Sequence, residues 1–237
     1  MRQKWRTIIM FKKSNKPSGS KATVHKIGKD LDFASAEAYK LLRTNLSFSL
    51  PDKTSGKVIG ITSSCPQEGK STTSVNLSYT LAEAGHKVLL IDADMRRPSV
   101  SKMLNQPSSP GLSNMLTEES ENIIRHGVLV ENLSILFSGD IPPNPSELIS
   151  SDKMARCIEA FAKEYDYIIV DLPPVIAVSD PLAMSKNIDG MVVVVRHGHT
   201  RKSEIIETMR QLELVGANVL GFVYNDAPIN KHSYHTI

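Results

Sequence analysis

Six stretches of this chain are apolar almost without interruption: KVIGITS (57–63), KVLLIDAD (87–94), LSILFSG (133–139), YDYIIVDL (165–172), GMVVVVR (190–196) and NVLGFVYN (218–225). A strand with one wet face alternates apolar and polar residues, whereas a strand apolar at nearly every position is covered on both faces, as in a parallel sheet between helices. Patterns of helical period separate the runs, from Gly69 to Ala84, from Ser146 to Lys163, near Pro181 to Lys186 and from Ser203 to Leu214. The expected fold class is therefore α/β, with a mostly parallel central sheet and helices on both faces. Upstream, DFASAEAYKLLRTNLSFSL reads as a further helix capped by Ser35, with Ala38, Leu41, Leu42 and Leu46 at helical spacing, and Pro51 to Gly56 form a linker. Gly85, Gly190 and Gly216 stand where helices should end just before strands.

At 237 residues and 41% hydrophobic, the chain can bury one sizeable core. The expected organisation is a basic, disordered arm over residues 1–30, one domain over 31–226 and a flexible tail over 227–237. Residues 1–29 hold nine of the 28 Lys/Arg and no acid, so the remainder sets 19 basic against 25 acidic residues. Such an arm on an acidic body suits anionic lipid heads or an acidic partner, or is simply solvated. It contains Trp5 but no folded recognition motif, so no specific nucleic acid is expected. Cys65 and Cys157 cannot build a disulfide framework or a thiolate metal site. With no apolar run near the roughly 18 to 20 residues that span a bilayer, a soluble, cytoplasmic protein is expected. His197, His199, His232 and His235 lack the partners of a metal site and read as surface residues.

Ligands of such sheets bind at the carboxyl ends of the strands. After the first run comes SSCPQEGKST, from Ser63 to Thr72, leading into a helix. A strand-to-helix loop presents unpaired N–H groups at the positive end of the helix dipole, which is an anion site. Gly69-Lys70-Ser71 match the second half of the P-loop pattern, with Lys70 for the β- and γ-phosphates and the Ser71 hydroxyl for Mg²⁺. Ser64 takes the place of that pattern's first glycine. The stretch Ser64, Cys65, Pro66, Gln67, Glu68, Gly69, Lys70, Ser71 and Thr72 is the candidate ATP cradle of a P-loop NTPase fold.

Asp92 and Asp94 follow the second run as alternate residues able to share one side of the strand, and Asp171 ends the fourth, where a Walker B aspartate belongs. One aspartate there could be a solvated turn, but three strand-end carboxylates beside a phosphate loop are not explained by packing. Their mutual repulsion implies a cation, and the expected metal ligands are Ser71, Asp92 and Asp171 for Mg²⁺. Arg96 and Arg97 are either extra positive charge near phosphates or a solvated turn. Ser179 or Asp180 reads as a helix cap.

Together, residues 62–72, LLIDADMRRP and IIVDLPP resemble the Walker A, A′ and B motifs of the bacterial tyrosine kinases of capsular and exopolysaccharide synthesis; EAYKLLRTNL and SGDIPPNPSELI resemble further segments of that family. The resemblance runs from about Glu37 to Asn225. It implies an enzyme that uses ATP and Mg²⁺ to phosphorylate tyrosine on itself and on other proteins, activated by a transmembrane partner of polysaccharide export. Lys70, Asp92 and Asp94 would be catalytic, with the aspartate pair assisting the metal or drawing the phenolic proton, and Asn225 would contact the adenine. The family's Glu-x-x-Arg-x-x-Arg docking motif appears as Glu37, Lys40 and Arg43, which implies a homo-oligomer, with a lysine replacing the middle arginine. Tyr234 is the tail tyrosine available for autophosphorylation, and Tyr224 reads as core. The rival is an ATPase of the partition and division-site type, whose signature lysine lies five positions before the P-loop lysine. Cys65 stands there instead.

Overall fold

The computed structural model describes residues 7–12, 26–117 and 123–227. Among the described residues seven strands form one sheet: β1 (Thr7–Lys12), β2 (Lys57–Ser63), β3 (Val88–Asp92), β4 (Leu133–Leu136), β5 (Tyr167–Asp171), β6 (Gly190–Arg196) and β7 (Val219–Ala227). Their order is β1-β7-β6-β2-β5-β3-β4, and every pairing is parallel. The six apolar runs became β2 to β7. Side chains alternate between the faces, so Ile169, Val192 and Val194 enter one core while Ile168, Val170 and Val193 enter the other. Each such fully buried Val or Ile is worth about 1.5–3 kcal/mol relative to exposure, so the two cores fix the strand register.

The first core is closed by α1 (Phe33–Ser49) and α2 (Lys70–Glu83) through Leu42, Leu46, Val75 and Leu77. Because α1 lies over α2, most of α2 is buried and carries small residues such as Ser74 and Ser78. The second core takes Ile158 from α6 (Asp152–Phe161) and Leu212 from α8 (Lys202–Leu214). Shorter helices complete the connections: α3 (Val100–Met103), α4 (Leu112–Thr117), α5 (Pro145–Ser150) and α7 (Asp180–Met184).

Several expectations are corrected. The arm is not disordered throughout: Thr7–Lys12 is a strand on the outer side of β7, because TIIMFK is an apolar run that can complete a sheet edge. Gly28–Asp30 form a 3-10 turn whose Gly28 N–H donates to Asn76 of α2 at 2.9 Å. The cap of α1 is Asp32, which accepts the N–H of Ser35 at 2.9 Å, rather than Ser35 itself. The helix expected over 146–163 is two helices, since Ser151 is extended (φ −70°, ψ 152°) and caps α6 by accepting the Met154 N–H. Gly85 and Gly216 do follow helices at positive φ, but Gly190 is already in β6, where a Cβ would meet Leu220 at 2.5 Å. Tyr234 lies outside the described residues.

Candidate functional site

β2 lies between β5 and β6 with β3 beyond β5, so the phosphate loop and both acidic strand ends are near neighbours at one end of the sheet. Register pairs Asp92 directly with Asp171 and Ile61 with Asp171. The expected groups meet there. Lys70 Nζ lies 2.9 Å from Asp94 Oδ2, 3.4 Å from Asp171 Oδ2 and 3.1 Å from Ser71 Oγ. Asp171 Oδ1 also accepts the Ser74 hydroxyl at 3.0 Å. Asp92 is fully buried; its oxygens accept the N–H groups of Asp94 (3.3 Å) and Val100 (3.2 Å), which fixes the turn carrying Asp94.

Burial lowers the proton affinity of Lys70, but the charges of Asp171, Asp94 and Asp92 outweigh it and the group stays firmly protonated. Burial, then the Asp171 charge, raises the Asp92 carboxyl to about 8. Burial likewise raises Asp171, against the opposing charge of Lys70. For a carboxyl raised above its unfolded value of 3.8, the stabilising contribution is complete below that value and is lost as pH climbs through the folded one. The nucleotide-free protein should therefore lose stability between about pH 4 and 8 through Asp92. Urea unfolding across that range should show a shallower decline in Asp92→Asn, and an unchanged slope would refute the assignment.

Three carboxylates and one hydroxyl around a single ammonium form a hard-oxygen set short of positive charge, which is what Mg²⁺ seeks. Among the described residues no three acidic, His or Cys side chains already form a metal-binding group. Mg²⁺ takes one or two protein ligands and completes its shell with phosphate and water. Ser71 and Asp171 fit directly. Asp92 is committed to backbone N–H groups, which suits contact through water.

The loop itself explains the departure from the P-loop pattern. Ser64 has no left-handed backbone requirement, and its hydroxyl accepts from Thr208 of α8 at 2.9 Å inside the core. The left-handed positions are Gln67 (φ 65°) and Gly69 (φ 95°). Glu68 points inward, accepting the Cys65 N–H at 3.0 Å and the Thr200 hydroxyl. Asn225 does not stand free: its amide donates to Glu68 O at 3.0 Å, bracing the phosphate loop. Pro66 and Gln67 are exposed, Cys65 is half-buried, and Thr72 lies in the first turn of α2.

Sequence reasoning missed Ser74 and the partners of Arg96. Arg96 Nε donates to the fully buried Asp180 at 3.0 Å, and Ser146 Oγ donates to Asp180 at 2.6 Å. Asp180 is thus the anchor of a tie between the loops after β3, β4 and β5; it does not cap α7, and Ser179 makes no side-chain capping bond either. The pattern Arg-x-x of the β3 turn gives no sign of this partnership, which depends on residues 50 and 84 positions away. Glu37 and Lys40 pair with each other at 2.9 Å, and Arg43 donates to Thr80 O of α2 at 2.8 Å. Tyr224 is half-buried, with its hydroxyl 2.5 Å from His197 Nδ1.

A family model described as an AAA domain matches residues 56–217. The chain is similar to tyrosine-protein kinase YwqD of Bacillus subtilis (strain 168), 38% identical over 201 residues that make up 84% of each protein. It is also similar to tyrosine-protein kinase ptk of Acinetobacter johnsonii, 34% identical over 208 residues; these are 87% of this chain but 28% of that one. Among solved structures, the chimerical protein CapA2B2 superposes with a TM-score of 0.84 at 33% identity, over 95% of this chain and 96% of the other. The septum site-determining protein MinD of Pyrococcus horikoshii, solved with Mg-ADP, is more distant, with a TM-score of 0.60 at 25% identity over 72% and 70% of the two chains. No helix among the described residues is long and apolar enough to cross a membrane.

Proposed function

The chain belongs to the bacterial tyrosine-protein kinases, and from that premise we propose that it transfers the γ-phosphoryl group of ATP to tyrosine hydroxyls in the control of capsular or exopolysaccharide synthesis. The observation that carries this reading is the position of Lys70 Nζ among Ser71 Oγ, Asp94 and Asp171 at the carboxyl ends of adjacent strands.

In the proposed reaction the N–H groups of the loop's end at Gly69 and of the start of α2 hold the phosphates. Lys70 exchanges its carboxylate partners for the β- and γ-phosphate oxygens and steadies the charge on the group in flight. Ser71 and Asp171 would hold Mg²⁺, which when bound neutralises the phosphates and orients the γ-group. A phenol with a pKa near 10 must give up its proton as it attacks. Asp92 and Asp94 share the tasks of accepting that proton and holding water on the ion; Asp92, fully buried with its oxygens on backbone N–H groups, suits the second. The products are ADP and phosphotyrosine.

The division-site ATPase reading is the weaker one, since Cys65 occupies the place of its cross-dimer lysine and the MinD likeness is the more distant. A separate transmembrane activator, a homo-oligomer docked through Glu37, Lys40 and Arg43, and autophosphorylation at Tyr234 complete the proposal. Purified protein incubated with labelled ATP and Mg²⁺, with and without the cytoplasmic tail of a candidate activator, should form phosphotyrosine. Tyr234→Phe should remove most of the self-labelling. Phosphate release without phosphotyrosine would favour the ATPase.

A further inference from the structure

The three carbonyls that precede Gly69 are each engaged from outside the phosphate loop. Pro66 O lies 3.3 Å from His199 Nε2, Gln67 O accepts Arg196 Nη1 at 3.1 Å, and Glu68 O accepts Asn225 Nδ2 at 3.0 Å. The Glu68 side chain ties the same loop a fourth time, through the Thr200 hydroxyl. All these partners come from two neighbouring segments, the turn after β6 (196–200) and the end of β7 (225–226).

Arg196 is itself held. Its Nε donates to Asp226 at 2.7 Å, and its backbone N–H donates to Thr200 Oγ1 at 2.7 Å. Gln67 and Asp226, at the two ends of the arginine's reach, both adopt the left-handed backbone that non-glycine residues avoid (φ 65° and 54°). Strain of that kind persists only where surrounding bonds over-determine it. A peptide unit whose carbonyl is pulled outward turns its N–H inward, so the same bonds aim the loop's donors at the anion site before any nucleotide arrives.

We propose that Arg196, paired with Asp226, and Thr200, bonded to Glu68, are positioning residues that pre-organise the phosphate loop for the polyphosphate of the nucleotide. The proposal rests on the nucleotide-binding reading of the loop and extends it to residues outside every P-loop pattern. Without the Arg196 tie, Gln67 relaxes from its left-handed conformation, and binding must supply the ordering that the free protein now contains.

The test is titration of the full-length protein with a fluorescent ADP analogue and Mg²⁺, alongside thermal unfolding without nucleotide. Arg196→Ala should weaken binding about tenfold, equivalent to about 1.4 kcal/mol, and Thr200→Val by several-fold. Asp226→Ala combined with Arg196→Ala should cost little more than Arg196→Ala alone, because the pair acts as one brace. Arg196→Lys should fail to rescue, since an ammonium cannot span Asp226 and Gln67 O in one plane. Wild-type protein that binds no nucleotide would overturn the underlying reading. Wild-type binding with equal affinity in Arg196→Ala, or full rescue by Lys, would overturn the proposal alone. A large fall in unfolding temperature with unchanged affinity in the folded fraction would do the same.

Discussion

Lys70→Met is expected to abolish phosphotyrosine formation, lowering the rate by a factor on the order of 10³ or more. The side chain is the cation in contact with Asp94 and Asp171 and close to Asp92, and no uncharged side chain can both neutralise those carboxylates in the free protein and follow the phosphates in the complex. The same substitution has a second signature. With the ammonium gone, Asp171 and Asp94 are buried beside one another and beside Asp92 without compensation, and breaking a buried pair in this way typically costs about 3–5 kcal/mol. Protonation relieves that cost. Asp92 and Asp171 are already raised by burial, and without Lys70 they rise further. The folded variant then takes up protons that the unfolded chain does not, so its stability must improve as pH falls. The melting temperature of Lys70→Met should therefore lie far below wild type at pH 8 and approach it near pH 5. A pH-independent deficit would mean that the carboxylates are not the reason for the loss, and residual phosphotyrosine near the wild-type level would remove Lys70 from the reaction.

Gly69→Ala should have the next largest effect. Gly69 stands at φ 95°, which a side chain strains, and an added Cβ would lie 2.2 Å from Asn225 Nδ2. The amide would have to leave Glu68 O, which releases one of the ties on the loop. Relieving the contact by moving the loop instead would displace the N–H groups at the start of α2 from the phosphates. Either way nucleotide affinity should fall by about a hundredfold, equivalent to about 2.8 kcal/mol. Calorimetric titration with ADP and Mg²⁺ reads this directly. Tight binding in Gly69→Ala would show that the loop reorganises on ligand entry, and the pre-organised geometry would lose its meaning.

The strands were legible because their signal is local: GMVVVVR could only be a strand covered on both sides, and it forms β6 residue for residue. Lys70, Asp94 and Asp171 were legible because strand ends and helix starts converge in any parallel α/β sheet. What escaped is relational. Ser151 splits a helical pattern because its backbone turns extended and its hydroxyl caps the second half, a choice that the apolar periodicity around it does not register. TIIMFK sat inside a lysine-rich segment, and charge density concealed a run that needs only one vacant sheet edge to become a strand. Asp180 looked like a helix cap because nothing adjacent to it announces Arg96. The bond from the Asn225 amide to the phosphate loop also escaped, since its approach depends on how β7 and β2 stand across the sheet from one another.

The outer strand β1 has a consequence in time. Thr7 pairs with Phe222, so β1 leaves the ribosome long before the strand on which it docks. At about 5–20 residues per second the two are separated by ten seconds or more of synthesis. Throughout that interval β1 has no partner and the side of β7 that will receive it does not exist. Strands β2 to β6 can pair in the meantime through shorter separations, and β1 reaches its place only after β7 has been made.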